Sequence, residues 1–125
     1  MSLESILEAI RSKLEEGIKQ QLSGLRGLVV KPVYNSMMPL RVELALPSNV
    51  SELVFLKDGQ VNLSREPLSN VDVRIQTDAE TLRTAFNNPS AELFEKLEAQ
   101  GKISITSLTK KGSEAEGYIR KHLAG

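Results

Sequence analysis

The chain has 125 residues, 40% of them hydrophobic and 26% charged, which describes one globular domain over residues 1–125 with a core that needs no disulfide or metal staples. The lack of Cys excludes a disulfide framework, a thiolate zinc site and a cysteine nucleophile, and fits a reducing, cytoplasmic setting. Sixteen Lys and Arg cancel sixteen Asp and Glu and aromatics are 4%, which disfavours nucleic acid, and the apolar runs are too short to span a membrane.

Leu3, Ile6, Leu7, Ile10, Leu14, Ile18 and Leu22 recur at three- and four-residue steps, which predicts an amphipathic first helix with Gly24 as its stop. From Gly27 to Gln76 the period shortens toward two. Leu28–Val33, Leu40–Leu46, Glu52–Lys57, Gln60–Arg65 and Val71–Gln76 each read as a strand, with Pro32–Pro39 and Pro47–Ser51 as connections. Asp58-Gly59 tolerates the positive backbone angles of a two-residue type I′ turn, so the third and fourth strands should form an antiparallel hairpin.

Thr77-Asp78-Ala79-Glu80 then reads as a capping box, and Leu82, Ala85 and Phe86 form the apolar side of the helix it opens. Asn88-Pro89 breaks and restarts the chain, with Asn88 as cap and Pro89 as first helical residue, and Leu93, Phe94 and Leu97 line the next helix until Gly101. Ile103 and Ile105 alternate with polar residues in a last strand. Ser113 and Glu116 open a final helix through Tyr118, Ile119, His122 and Leu123, weakened at Gly117. Segregated strands and helices indicate an α+β fold: a single, mostly antiparallel sheet of about five to six strands, with the N-terminal helix and the later helices covering one face.

The catalytic inventory is nearly empty: one His, no Gly-Xaa-Ser-Xaa-Gly elbow, no Walker-type loop and no Gly-Xaa-Gly-Xaa-Xaa-Gly. His122, close to the C-terminal end, is assigned a surface or packing role. Glu15-Glu16, Asp78-Glu80 and Glu92-Glu95-Glu98 belong to solvated helix faces and first turns, so no enzyme, catalytic residue, metal or cofactor is expected. Gly24-Leu25-Arg26-Gly27 has the spacing of a nucleic-acid clamp, but between a helix and a strand it reads as a plain turn. Lys110-Lys111 and Arg120-Lys121 make the C-terminal end basic, enough for transient contact with a membrane surface and too little for anchoring. What remains is apolar. Phe86, Leu93, Phe94 and Leu97 should face Val73, Ile75, Ile103 and Ile105, and the adaptable thioethers of Met37-Met38 should pack beneath their loop.

Asp72-Val73-Arg74-Ile75, Asp78 with Leu82 a turn later, the Asn88-Pro89 break, Phe94 and Gly101-Lys102-Ile103-Ser104-Ile105 together resemble the C-terminal half of the sterol carrier protein type 2 family. The preceding helix and strands agree with that family's order of elements. The resemblance implies an apolar tunnel between the sheet and the later helices, lined by Val73, Ile75, Phe86, Leu93, Phe94, Leu97, Ile103, Ile105, Tyr118 and Ile119. Such a tunnel would hold a fatty acyl, sterol or isoprenoid lipid and pass it on without bond making, in a monomer or weak homodimer. The helix from Ser113 to Leu123 would be its lid. The competing expectation is an assembly module with a closed core and no lipid ligand, whose exposed apolar strip pairs with itself or another subunit.

Overall fold

Leu40, Val42, Leu44 and Leu46 are buried while Arg41, Glu43 and Ala45 between them are half-buried, and this alternation gives β1 (Leu40–Leu46) one apolar face. A computed structural model describes residues 3–47, 49–65, 70–88 and 90–123, the side chains of 118–123 excepted. β2 (Asn49–Phe55) folds back antiparallel on β1, with Val42 opposite Leu53 and Leu40 opposite Phe55. Asp58 and Gly59 take positive φ, 64° and 85°, as the hairpin requires. The turn uses three residues, Lys57–Gly59, rather than two, and closes where the Leu56 N–H donates to the Gln60 carbonyl at 2.8 Å. It leads into β3 (Val61–Ser64), antiparallel to β2.

β4 (Val73–Gln76) supplies the parallel pairing of the mostly antiparallel sheet, lying beside β1 with Val42 next to Val73 and Leu44 next to Ile75. Its register is pinned at Asp72. The Asp72 N–H donates to the Arg41 carbonyl at 2.8 Å, and the Arg41 N–H donates back to the Asp72 carboxylate at 3.0 Å. β5 (Ser104–Ser107) completes the far edge antiparallel to β4, which gives the order β3-β2-β1-β4-β5 among the described residues. One face of this sheet carries Leu40, Val42, Leu44, Leu53, Phe55, Val61, Val73 and Ile75.

α1 (Leu3–Gln21) lays Ile6, Leu7, Ile10 and Ile18 onto the core. Its side chains also engage the sheet's backbone. Arg11 donates to the Val61 carbonyl at 3.0 Å and the Val61 N–H donates to Glu15 at 2.9 Å, so the edge of β3 is occupied there.

The next segment departs most from expectation. Leu28–Val33 is not a strand but the middle of α2 (Gly24–Ser36), so the sheet has five described strands and not six. The β-branched Val29 and Val30 and the Pro32 breaker favour the extended reading locally. Tertiary contacts decide otherwise. Gly27 lies so close to the Leu22 carbonyl that any side chain there would collide with it. At the other end Asn35 exchanges two hydrogen bonds with Asp58, at 3.0 and 3.2 Å, and Lys31 pairs with the same carboxylate. Gly24-Leu25-Arg26-Gly27 is therefore the first turn of a helix that follows another helix, and not a turn before a strand.

Three helix starts also move by a few residues. α3 (Ala79–Asn87) is capped by Asp78, whose carboxylate accepts the Thr81 N–H at 2.8 Å and the Thr81 hydroxyl at 2.9 Å, while Thr77 turns away to donate to the Lys102 carbonyl. A carboxylate outcompetes a hydroxyl at a position that also feels the positive end of the helix. α4 (Ala91–Ala99) is capped by Ser90 rather than Asn88, and Pro89 lies outside the described residues. α5 (Lys110–Leu123) begins before Ser113: the Thr109 hydroxyl accepts the Gly112 N–H at 2.9 Å and donates to Asp72 at 2.8 Å.

Gly112 rests directly on the Asp72 carbonyl, where a Cβ would collide, whereas a Cβ at Gly117 meets open space. In urea denaturation, Gly112→Ala should therefore cost about 2 kcal/mol through forced displacement of α5, while Gly117→Ala should add roughly 0.5–1 kcal/mol through helix propensity.

Four carboxylates are held below their ordinary range, the first of them Glu8, lowered by its hydrogen bond from Arg11. The Val61 N–H and then Lys19 lower Glu15; the Asn35 amide and then Lys31 lower Asp58; the Thr81 N–H and hydroxyl lower Asp78. Each binds a proton more readily in the unfolded chain, so its contribution is whole above the unfolded value of about 4 and drains away as pH falls through the folded one. Thermal unfolding should show a Tm that is flat from neutral pH to about 5 and falls below about 4, with a shallower fall in Glu15→Gln.

Candidate functional site

The apolar face of the sheet is roofed by α1, α2, α3 and α5, yet the roof and floor do not meet everywhere. Between them lies a cavity of about 710 Å³, within the range of pockets that enclose small molecules. Its floor is Val42, Leu44, Leu53, Phe55 and Ile75 from three neighbouring strands. Ile10, Leu14 and Ile18 of α1 form one wall, Leu82, Ala85 and Phe86 of α3 another, and Phe94, Ile103 and Ala115 close the end. Met37 and Met38 line it from the connection before β1, so these thioethers face the hollow and do not merely pack beneath their loop.

The rim is marked by lining residues that are also exposed. Lys13, Glu16 and Gln20 stand on the outer side of α1, Val30 and Val33 on α2 and Glu114 on α5. The Lys13 ammonium sits 5.7 Å from the centre of the Phe86 ring, a cation–π contact that holds an aromatic side chain at the rim under a positive charge. Inside, the surface is mostly aliphatic, aromatic and thioether, with the Tyr34 ring and the Thr77 side chain among the few groups that carry a polar atom. Among the described residues no three His, Cys, Asp or Glu side chains gather into a metal-holding group.

Of the side chains that the sequence singled out, Ile75, Phe86, Phe94 and Ile103 line the cavity. Val73, Leu93, Leu97 and Ile105 do not. Val73 lies beneath Gly112 where α5 crosses β4, Leu97 is buried in the core, and Leu93 and Ile105 are half-buried against it. The side chains of Tyr118, Ile119 and His122 lie outside the described residues. The contribution of α1 and α2 was missed. The apolar stripe of α1 was the available signal, but α2 carried none once it read as a strand.

Phe94 is buried at the end of the cavity and Phe86 half-buried at its rim. Phe94→Ala should cost about 3 kcal/mol in urea unfolding. Phe86→Ala should cost less than half as much.

No family model matches the chain, and no curated protein matches it by sequence. Solved structures do. Sterol carrier protein 2 like 2 from Aedes aegypti superposes with a TM-score of 0.58 at 14% identity over 96% of this chain and 98% of that one. The solution structure of the palmitated form of that protein gives 0.54 at 16% identity, over 100% and 96%. A ubiquinone synthesis protein, UbiJ-SCP2, gives 0.55 at 14% identity, over 94% and 97%. At these identities the likeness is one of fold. Among the described residues no helix is long and apolar enough to cross a membrane.

Proposed function

We propose that this chain, which has the sterol carrier protein type 2-like fold, acts over residues 1–125 as one unit that binds a single lipid tail and releases it unchanged. The observation that carries this reading is the cavity of about 710 Å³, enclosed almost entirely by aliphatic and aromatic side chains. An apolar cavity of this size offers dispersion contacts on every wall, and a hydrocarbon chain can take them up. Transfer of each methylene from water contributes about 0.8 kcal/mol, roughly fourfold in Kd, so an acyl chain needs few polar contacts to be held. The palmitated neighbour is a second support, since its whole length shares this fold. Chemistry on the ligand is not part of the proposal. The alternative of an assembly module with a closed core requires a filled interior, against which the cavity weighs.

Native mass spectrometry and fluorescence displacement with saturated fatty acids test the reading. Affinity should rise roughly fourfold per methylene from twelve to sixteen carbons. Ala85→Phe, which places a ring in the cavity beside Phe86, should weaken palmitate binding at least tenfold without lowering Tm. No binding of any chain length, or unchanged binding in Ala85→Phe, would overturn the proposal.

A further inference from the structure

Side chains that peroxide oxidises readily are few in this chain. It has no Cys and no Trp, and its three methionines are Met1, Met37 and Met38. Met37 and Met38 are neighbours in sequence, and both line the cavity. Ile18, Leu40 and Val42 of the same lining are 4% exposed or less, whereas the two methionines are half-buried. Each is therefore within reach of a small oxidant from the solvent and of a ligand from the hollow.

The connection that carries them is pinned at both ends. On the α2 side Asn35 exchanges its two hydrogen bonds with Asp58, and the N–H groups of Met37 and Met38 donate to the Tyr34 and Asn35 carbonyls at 3.1 and 3.2 Å. On the other side Lys111 donates to the Pro39 carbonyl at 2.6 Å, and Leu40 enters β1 with its side chain buried. With the backbone held, neither methionine leaves the wall by a shift of the chain. A thioether at such a wall packs against hydrocarbon as an aliphatic group does. An oxygen added to its sulfur stays at the wall as a strong acceptor, and a hydrocarbon tail has no donor to offer it.

We propose that Met37 and Met38 are an oxidation site that controls the cavity's hold on a lipid tail, a role that rests on the lipid-binding reading above. Hydrogen peroxide supplies the oxygen. A sulfur lone pair forms the S–O bond as the O–O bond breaks, the proton on the transferred oxygen passes to the departing one, and water leaves. The thioether loses two electrons and the peroxide gains them. The sulfoxide then sets its polar group against the tail, and the tail is released. A tail already in the cavity lies against the same side chains, so the loaded protein is oxidised more slowly. A thiol-dependent sulfoxide reductase restores the site, two thiols closing to a disulfide while the oxygen leaves as water.

The test treats wild type with hydrogen peroxide, with and without palmitate, beside a methionine-containing reference peptide in the same tube. Peptide mass spectrometry follows oxidation at each methionine, fluorescence displacement follows palmitate binding, and a melt follows the fold. Sulfoxide at both positions should weaken palmitate binding about tenfold or more, with a cooperative melt retained, and sulfoxide reductases of both epimer specificities with dithiothreitol should restore it. Saturating palmitate should slow oxidation at Met37 and Met38 several-fold while the reference peptide is oxidised as before. In Met37→Leu/Met38→Leu, whatever its own affinity, the Kd should be the same before and after peroxide. An unchanged Kd in fully oxidised wild type, an equal loss in the double variant, or a loss of binding that comes only with loss of the fold overturns the proposal. Should the double variant fail to fold, protection of wild type by palmitate decides, and its absence overturns the proposal. Loading that survives oxidation sinks the oxidation site and spares the carrier reading, whereas untreated protein that takes up no palmitate sinks both.

Discussion

Asp72 uses every hydrogen-bonding group it has, and the arrangement of the sheet and of α5 depends on this. Its N–H and carboxylate lock onto the Arg41 backbone at the start of β1, its carbonyl accepts the Leu108 N–H at 2.8 Å where β5 ends, and its second carboxylate oxygen takes the Thr109 hydroxyl. Gly112 then lies flush on the same carbonyl. One residue thus joins the beginning of two parallel strands, the end of a third and the first turn of the last helix. Its carboxylate is mostly shielded from water, at 10% exposure, so solvent competes poorly for each bond and losing a partner would be costly.

The same constraint explains why the interior is hollow where it is. α5 is held close to the sheet at Gly112, over Val73, which leaves no room there. α1 is held close at the opposite edge, where Arg11 and Glu15 reach Val61. Between these two points of close approach the roof spans the middle strands with side chains of moderate length, and the space above Val42, Leu44 and Ile75 is not filled. The cavity therefore follows from where the helices are pinned, and the small residues Gly17, Ala85 and Ala115 on its boundary keep it from being closed by packing.

Much of the fold was legible because most elements obey one period. The stripe from Ile6 to Ile18, the Asp58-Gly59 turn and the alternation at Val73 and Ile75 each state their structure locally, and the structure agrees. The misses share a cause. α2 is helical because Gly27 meets Leu22 and Asn35 meets Asp58, contacts between residues that no local window relates. The position of β4 beside β1, on which local pattern is silent, likewise follows from Asp72 finding Arg41 across 31 positions of sequence. For the site, periodicity identifies side chains that turn inward but is blind to whether they meet another side chain or empty space. Val73 and Ile75 alternate identically, yet Ile75 lines the cavity and Val73 supports a helix.

The ion pair between Arg11 and Glu15, at 3.2 Å, has a role beyond joining two turns of α1. Both side chains are spent on the backbone of Val61, at the open margin of the sheet. Unpaired N–H and carbonyl groups on such a margin are a template for a strand from another molecule, and most proteins block them with lysines, prolines or a bulge. Here two side chains of a neighbouring helix imitate the missing strand, one donating and one accepting. Resistance to edge-to-edge polymerisation is therefore written into a helix, and any change that lifts α1 away from β3 exposes the margin at the same moment as the core.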